Sequence, residues 1–131
     1  MTGVLTMMVA GAMSVAAAMH GYVFVRESVL FSRSSTRRMF EVAPEHAGAI
    51  RLWAFHQGVY NLLLGTTALV GAIALLAGAS TIGVTLIVAA GVFMIVAAVT
   101  LVVADPRRVR VPGLFAQALP PSVALVALAL A

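Results

Sequence analysis

Cysteine is absent from this 131-residue chain, and so is lysine. The first absence excludes a disulfide framework, thiol redox chemistry and thiolate metal sites. The second excludes Schiff-base chemistry and covalently attached retinal. Charge is almost as scarce: Asp, Glu and Arg make up 9% of the residues against 63% that are apolar, and mean hydropathy is +1.11. No water-soluble fold of this size could cover that surplus with polar surface. Lipid is the expected solvent.

The length leaves room for four spans of roughly 20 residues with short connections, hence one domain over residues 1–131 and no separate soluble module. The apolar segments cover about 3–31, 44–78, 82–104 and 112–131. The expected fold class is all-α, an integral-membrane four-helix bundle with long first and second helices. Its fourth helix should break or kink at Pro120-Pro121, where two backbone donors are missing. Ala16-Ala17-Ala18 resembles a signal-peptide cleavage region, but no basic stretch precedes it and the chain stays apolar through Val25, so it is read as a retained span.

The few charges are confined to Arg26–Arg51 and Asp105–Arg110. These are the first and third connections, so crossing the bilayer after each segment brings all eight arginines out on one face. The positive-inside rule makes that face cytoplasmic and the chain N-out, C-out. A pI near 11.2 then reflects topology, with Arg33, Arg37, Arg38, Arg107, Arg108 and Arg110 meeting anionic headgroups rather than nucleic acid. Ser32 to Arg38 reads as a flexible loop, Trp53 as an interfacial anchor, and Thr85 and Thr100 as bonding their own helix. Ala10, Ser14 and Ala18 recur at the spacing of close helix packing, a possible homodimer face.

Polar side chains inside the spans are clustered: His20 and Tyr22 on the first, His56, Gln57, Tyr60 and Asn61 on the second, Gln117 on the fourth. All lie toward the charged connections. A rise of about 1.5 Å per residue places His20 roughly 10 Å from Glu27 and Asn61 roughly 12 Å from Trp53, a shared depth. His20 and Glu27 return to one helix face after two turns, and Gln57, Tyr60, Asn61 and Leu64 form a second stripe. Facing lipid would leave these groups unpaired, so the stripes should face each other around a polar pocket open to the cytoplasm. Direct bonding of His20 to Asn61 or Gln57 would instead make the cluster interhelical glue, and if such bonds alone fill the space between His20 and Asn61, the binding or transport function and the enzyme function that need a pocket there both fail. His20, Glu27 and His56 are a conceivable two-His, one-carboxylate metal set, but the axial separation argues against it. No metal and no cofactor are expected.

Three blocks, Ala18-Met19-His20-Gly21-Tyr22 through Glu27, Phe40-Glu41-Val42-Ala43-Pro44-Glu45 and His56-Gln57-Gly58-Val59-Tyr60-Asn61, followed by Gln117 and Pro120, resemble domain of unknown function 1304. That family consists of small four-span bacterial membrane proteins. The resemblance implies the same fold and a multi-pass place in a bacterial inner membrane, and it leaves activity open. The family pattern carries Glu before the histidine where this chain has Met19, and Asn where it has His56.

Three functions fit these residues. In the first, His20, Tyr22, Glu27, His56, Gln57, Tyr60, Asn61 and Gln117 line a site that binds or transports a small molecule. In the second, an integral-membrane enzyme uses His20 or His56 as general base with Glu27 as acid partner on a lipophilic substrate, since imidazole exchanges protons near neutral pH. The third is a structural or accessory subunit.

Overall fold

The computed structural model describes residues 3–130; Met1, Thr2 and Ala131 of the expected domain lie outside it. It is an all-α membrane bundle. Helix α1 spans Gly3–Phe24 and runs on into a π-helical turn, Val25–Val29; a short α2 covers Ser34–Met39; a 3-10 turn at Pro44–His46 opens α3, Ala47–Leu76. Helix α4 covers Ser80–Ala104, and a second 3-10 turn, Arg108–Arg110, leads into α5, Val111–Ala129. The four candidate membrane spans are Gly3–Val29, Pro44–Leu76, Ser80–Ala104 and Arg108–Ala129.

The long helices form a ring in which α1 packs on α3, α3 on α4, α4 on α5 and α5 back on α1. Lipid tails are as apolar as leucine, so association depends on close packing of small side chains. The core accordingly mixes alanines (Ala16, Ala68, Ala72, Ala90, Ala124) with Met13, Ile87 and Met94. Valine, leucine and phenylalanine cover the outside: Leu63, Ile73, Phe93 and Val103 are all more than half exposed. Trp53, 73% exposed, stands clear of the bundle near the charged end. Helical threonines satisfy themselves, Thr85 and Thr100 donating to the carbonyls of Thr81 and Val96 at 2.8 Å.

Two expectations are corrected. Helix α5 is not broken at Pro120-Pro121; it continues to Ala129, with Pro121 buried against the bundle. The stretch 32–38 is not a flexible loop, because Ser34–Met39 is helical and Thr36 is fully buried. The Arg37 guanidinium closes the loop before it onto the Ser32 carbonyl. In the stripe Ala10, Ser14, Ala18, Ala10 is in the core, while Ser14 and Ala18 face outward.

Helix α2 ends in a Schellman arrangement, with Val42 N–H donating to the Arg37 carbonyl at 2.8 Å and Glu41 N–H to that of Arg38 at 3.1 Å. The motif needs a left-handed residue, usually glycine; here it is Glu41, at φ 56°. Its carboxylate takes both Arg107 terminal nitrogens, at 3.2 and 3.0 Å, and Arg110 Nη2 at 2.7 Å. Asp105 accepts Nε of both arginines at 2.7 Å. This clasp ties the first connection to the third and fixes both at one end of the bundle. It also engages Arg107 and Arg110 within the protein, whereas Arg33, Arg38 and Arg108 remain exposed and outside every ion pair among the described residues.

Hydrogen bonds from Arg107 and then Arg110 hold the Asp105 carboxyl below the usual carboxylate range. A depressed folded-state value stabilises the fold above the unfolded value of about 3.9 and loses that contribution as pH falls through the folded one. The melting difference between wild type and Asp105→Asn in detergent should therefore be constant from pH 7 to about 5 and shrink below about 4. A second prediction concerns the uncharged end, where a Cβ on Gly83 would lie 2.7 Å from the Leu75 backbone nitrogen while one on Gly11 would meet nothing within 4 Å. Gly83→Ala should cost about 1–3 kcal/mol in a detergent unfolding titration, whereas Gly11→Ala should be neutral or stabilising.

Candidate functional site

On α3, Gly58, Asn61, Gly65, Ala68, Ala72 and Leu75 fall on one face and are all buried. Its Gly58–Gly65 part faces α1 and the π turn, while Leu75 reaches Gly83 of α4. A Cβ on Gly65 would sit 3.0 Å from the Ala17 carbonyl oxygen and 3.3 Å from His20 Cβ. A Cβ on Gly58 would run into Ser28 Oγ and lie 3.1 Å from Glu27 Cβ. Two glycines on either side of Asn61 thus bring the helices together where α1 passes into its π turn. That approach sets Asn61 against His20 and Glu27.

His20 is 1% exposed, and its Nδ1 lies 2.7 Å from Asn61 Oδ1. Asn61 Nδ2 is 3.0 Å from Glu27 Oε2 and 3.0 Å from the Gln57 carbonyl oxygen. The carboxylate and the carbonyl can only accept, so both Nδ2 protons are used and Oδ1 is the acceptor. Turning the amide over would set three oxygens against one another. His20 must therefore donate from Nδ1, and neutral His20 carries its lone pair on Nε2. That atom is buried and has no hydrogen-bond partner.

Glu27 reaches Asn61 from inside the π turn. Extra residues per turn of this kind occur mostly as single-turn insertions, frequently at functional sites. The following residue, Ser28, donates to the Phe55 carbonyl of α3 at 3.1 Å. Beyond this contact, between the π turn and the start of α3, lies a cleft of about 450 Å³. Glu27, Ser28 and Ser32 line it from one side, Arg51, Leu52 and Phe55 from the other, and Phe31 and Gly48 also contribute. Glu27 alone belongs to both the bonded chain and the cleft.

Of the residues expected to share a pocket, His20, Glu27 and Asn61 come together. The space between His20 and Asn61 is closed by their direct bond, so the intramembrane pocket expected there is absent. Gln57 contributes its carbonyl while its side chain is exposed. Tyr60 is 60% exposed on the side toward α4, and His56 also faces outward. The reason is angular: at about 100° per residue, Tyr60 sits about 100° and His56 about 140° from Asn61, outside the glycine-lined contact. Tyr22 is exposed, with its hydroxyl 3.8 Å from Met39 Sδ and its ring 5.9 Å from the Arg26 guanidinium. Gln117 is half-buried on α5 and makes no bond to the chain among the described residues. His20, Glu27 and His56 do not assemble as a metal set, since His56 points away. Ser28 and Arg51 were not anticipated, and Gly58 and Gly65, spaced three before and four after Asn61, were the overlooked signal.

Asn61→Leu should lower stability by about 1–3 kcal/mol, because His20 Nδ1–H and Glu27 are left unsatisfied. His20→Leu in the same chain should recover part of that loss, since removing both partners of a buried bond costs less than removing one. Reversible unfolding in mixed micelles reads both.

A family model described as a protein of unknown function (DUF1304) matches residues 14–129. The chain belongs to that family. No curated protein and no solved structure matches it.

Proposed function

We propose, from membership of this family as the premise, that the chain is a small-molecule-binding membrane protein whose ligand occupies the cleft at the charged end. The observation that carries the reading is the double engagement of Glu27: one oxygen is fixed by Asn61 at 3.0 Å, and the same side chain forms part of a cleft of about 450 Å³. Ligand sites are typically pre-formed concavities of about 300–1,000 Å³ with a few oriented polar groups. A carboxylate that is already oriented binds without the entropy cost of ordering it. The confinement of all eight arginines to this end supports its facing the cytoplasm. The ligand would then come from the cytoplasm or from the adjoining leaflet of a bacterial inner membrane.

Transport and acid–base catalysis are both further steps from this binding role. His20 is not on the cleft wall, so Glu27 is the acid–base group that a bound substrate would meet. The structural reading is favoured by a separate observation, the 2.7 Å bond between His20 and Asn61. The two roles divide along the chain: His20 and Asn61 brace the helices, and Glu27 is presented outward.

Gly48 lines the cleft, and a Cβ there meets nothing within 4 Å. Gly48→Trp should fill the cleft without disturbing the fold. Native mass spectrometry of protein released from membranes should detect a bound molecule on wild type and lose it in Gly48→Trp, at unchanged melting temperature. Equal occupancy in the two proteins would place the ligand elsewhere.

A further inference from the structure

The cleft contains an acid and a base that do not neutralise each other. Every ion pair among the described residues joins Arg107 or Arg110 to Glu41 or Asp105, and neither Glu27 nor Arg51 takes part in one. Their free valences point to different ligand groups. Glu27 Oε2 is engaged by Asn61, whereas Oε1 accepts no hydrogen bond among the described residues and is not among the enclosed unpartnered atoms. Beside it, the Ser28 hydroxyl proton is committed to the Phe55 carbonyl at 3.1 Å, which leaves Oγ only as an acceptor. Two adjacent acceptors, one of them anionic, suit an N–H-bearing cation. Across the cleft, the Arg51 guanidinium offers only donors. This end suits an anion with two or more oxygens.

The remaining wall is apolar and opens outward, with Leu52 65% and Phe55 50% exposed. In a membrane-spanning bundle such faces meet acyl chains, beside the interfacial Trp53. We propose that the cleft binds a zwitterionic amphiphile: a primary ammonium held by Glu27 and Ser28, a phosphate or carboxylate held by Arg51, and an apolar tail lying along Leu52 and Phe55. This rests on the reading of the cleft as a binding site. A trimethylated ammonium has no N–H to donate to the acceptor pair, so primary amines are selected over quaternary ones.

The test is titration calorimetry of the full chain in maltoside micelles. The probes are dihexanoyl phosphatidylethanolamine, dihexanoyl phosphatidylcholine, hexylamine, hexyl phosphate and tail-less phosphoethanolamine. The ethanolamine lipid should bind about tenfold or more tightly than each of the other four. Glu27→Gln should weaken it about tenfold and leave hexyl phosphate unchanged; Arg51→Gln should weaken it and hexyl phosphate alike and leave hexylamine unchanged. Equal affinity for phosphoethanolamine would overturn the amphiphile assignment and make the ligand a soluble zwitterion. An ethanolamine lipid no tighter than hexylamine or hexyl phosphate, or a preference untouched by both substitutions, would overturn the zwitterion. Gly48→Trp separates this failure from that of the cleft itself. If it abolishes binding, the cleft stands and only the ligand class falls; if it binds like wild type, the cleft reading falls too.

Discussion

One carboxamide organises the charged end of this bundle. Asn61 presents one acceptor and two donors, and each meets a partner at 2.7 to 3.0 Å: the His20 imidazole, the Glu27 carboxylate and the Gln57 carbonyl. Individual polar bonds between membrane helices are worth little, about 0.6 kcal/mol on average. Their weight here is geometric. The amide fixes the tautomer of His20, the side of α1 that faces α3, and the direction in which Glu27 is offered to the cleft.

That geometry depends on residues that do almost nothing chemically. Gly58 and Gly65 let two backbones approach until an asparagine can span them, and any Cβ at either position would press on Ser28 or on the Ala17 carbonyl. The π turn at Val25–Val29 then carries Glu27 and Ser28 across the end of α3. A second constraint acts from outside the membrane, where Glu41 occupies a left-handed position at a helix end while its carboxylate holds Arg107 and Arg110. The inner amide and the outer clasp hold the same end of the bundle from two sides.

Hydropathy alone makes the four-helix membrane architecture legible, because charge is so completely segregated along the chain. The contact of His20 with Asn61 was legible as well, from depth and face arguments that assume straight α-helices. Those arguments did not resolve the rest of the polar stripe. Gln57, Tyr60 and Asn61 look equivalent by spacing, and only the glycines, which decide which face of α3 approaches α1, distinguish them. Spacing also cannot reveal a π turn, which is what carries the Glu27 carboxylate to Asn61. Arg51 and Glu41 were invisible for another reason: their partners or neighbours lie across connections whose fold no periodicity dictates. The double proline does not interrupt α5, which runs through it as one helix.

The central claim is that Asn61 bridges His20 and Glu27, and it fixes which imidazole nitrogen carries the proton. Nitrogen-15 NMR of the His20 side chain in lipid bilayers reads this directly. The account predicts a neutral ring protonated at Nδ1, with Nε2 bare and a through-space contact from the Nδ1 proton to the Asn61 carboxamide. A neutral ring protonated at Nε2, or one with no contact to Asn61, would contradict it.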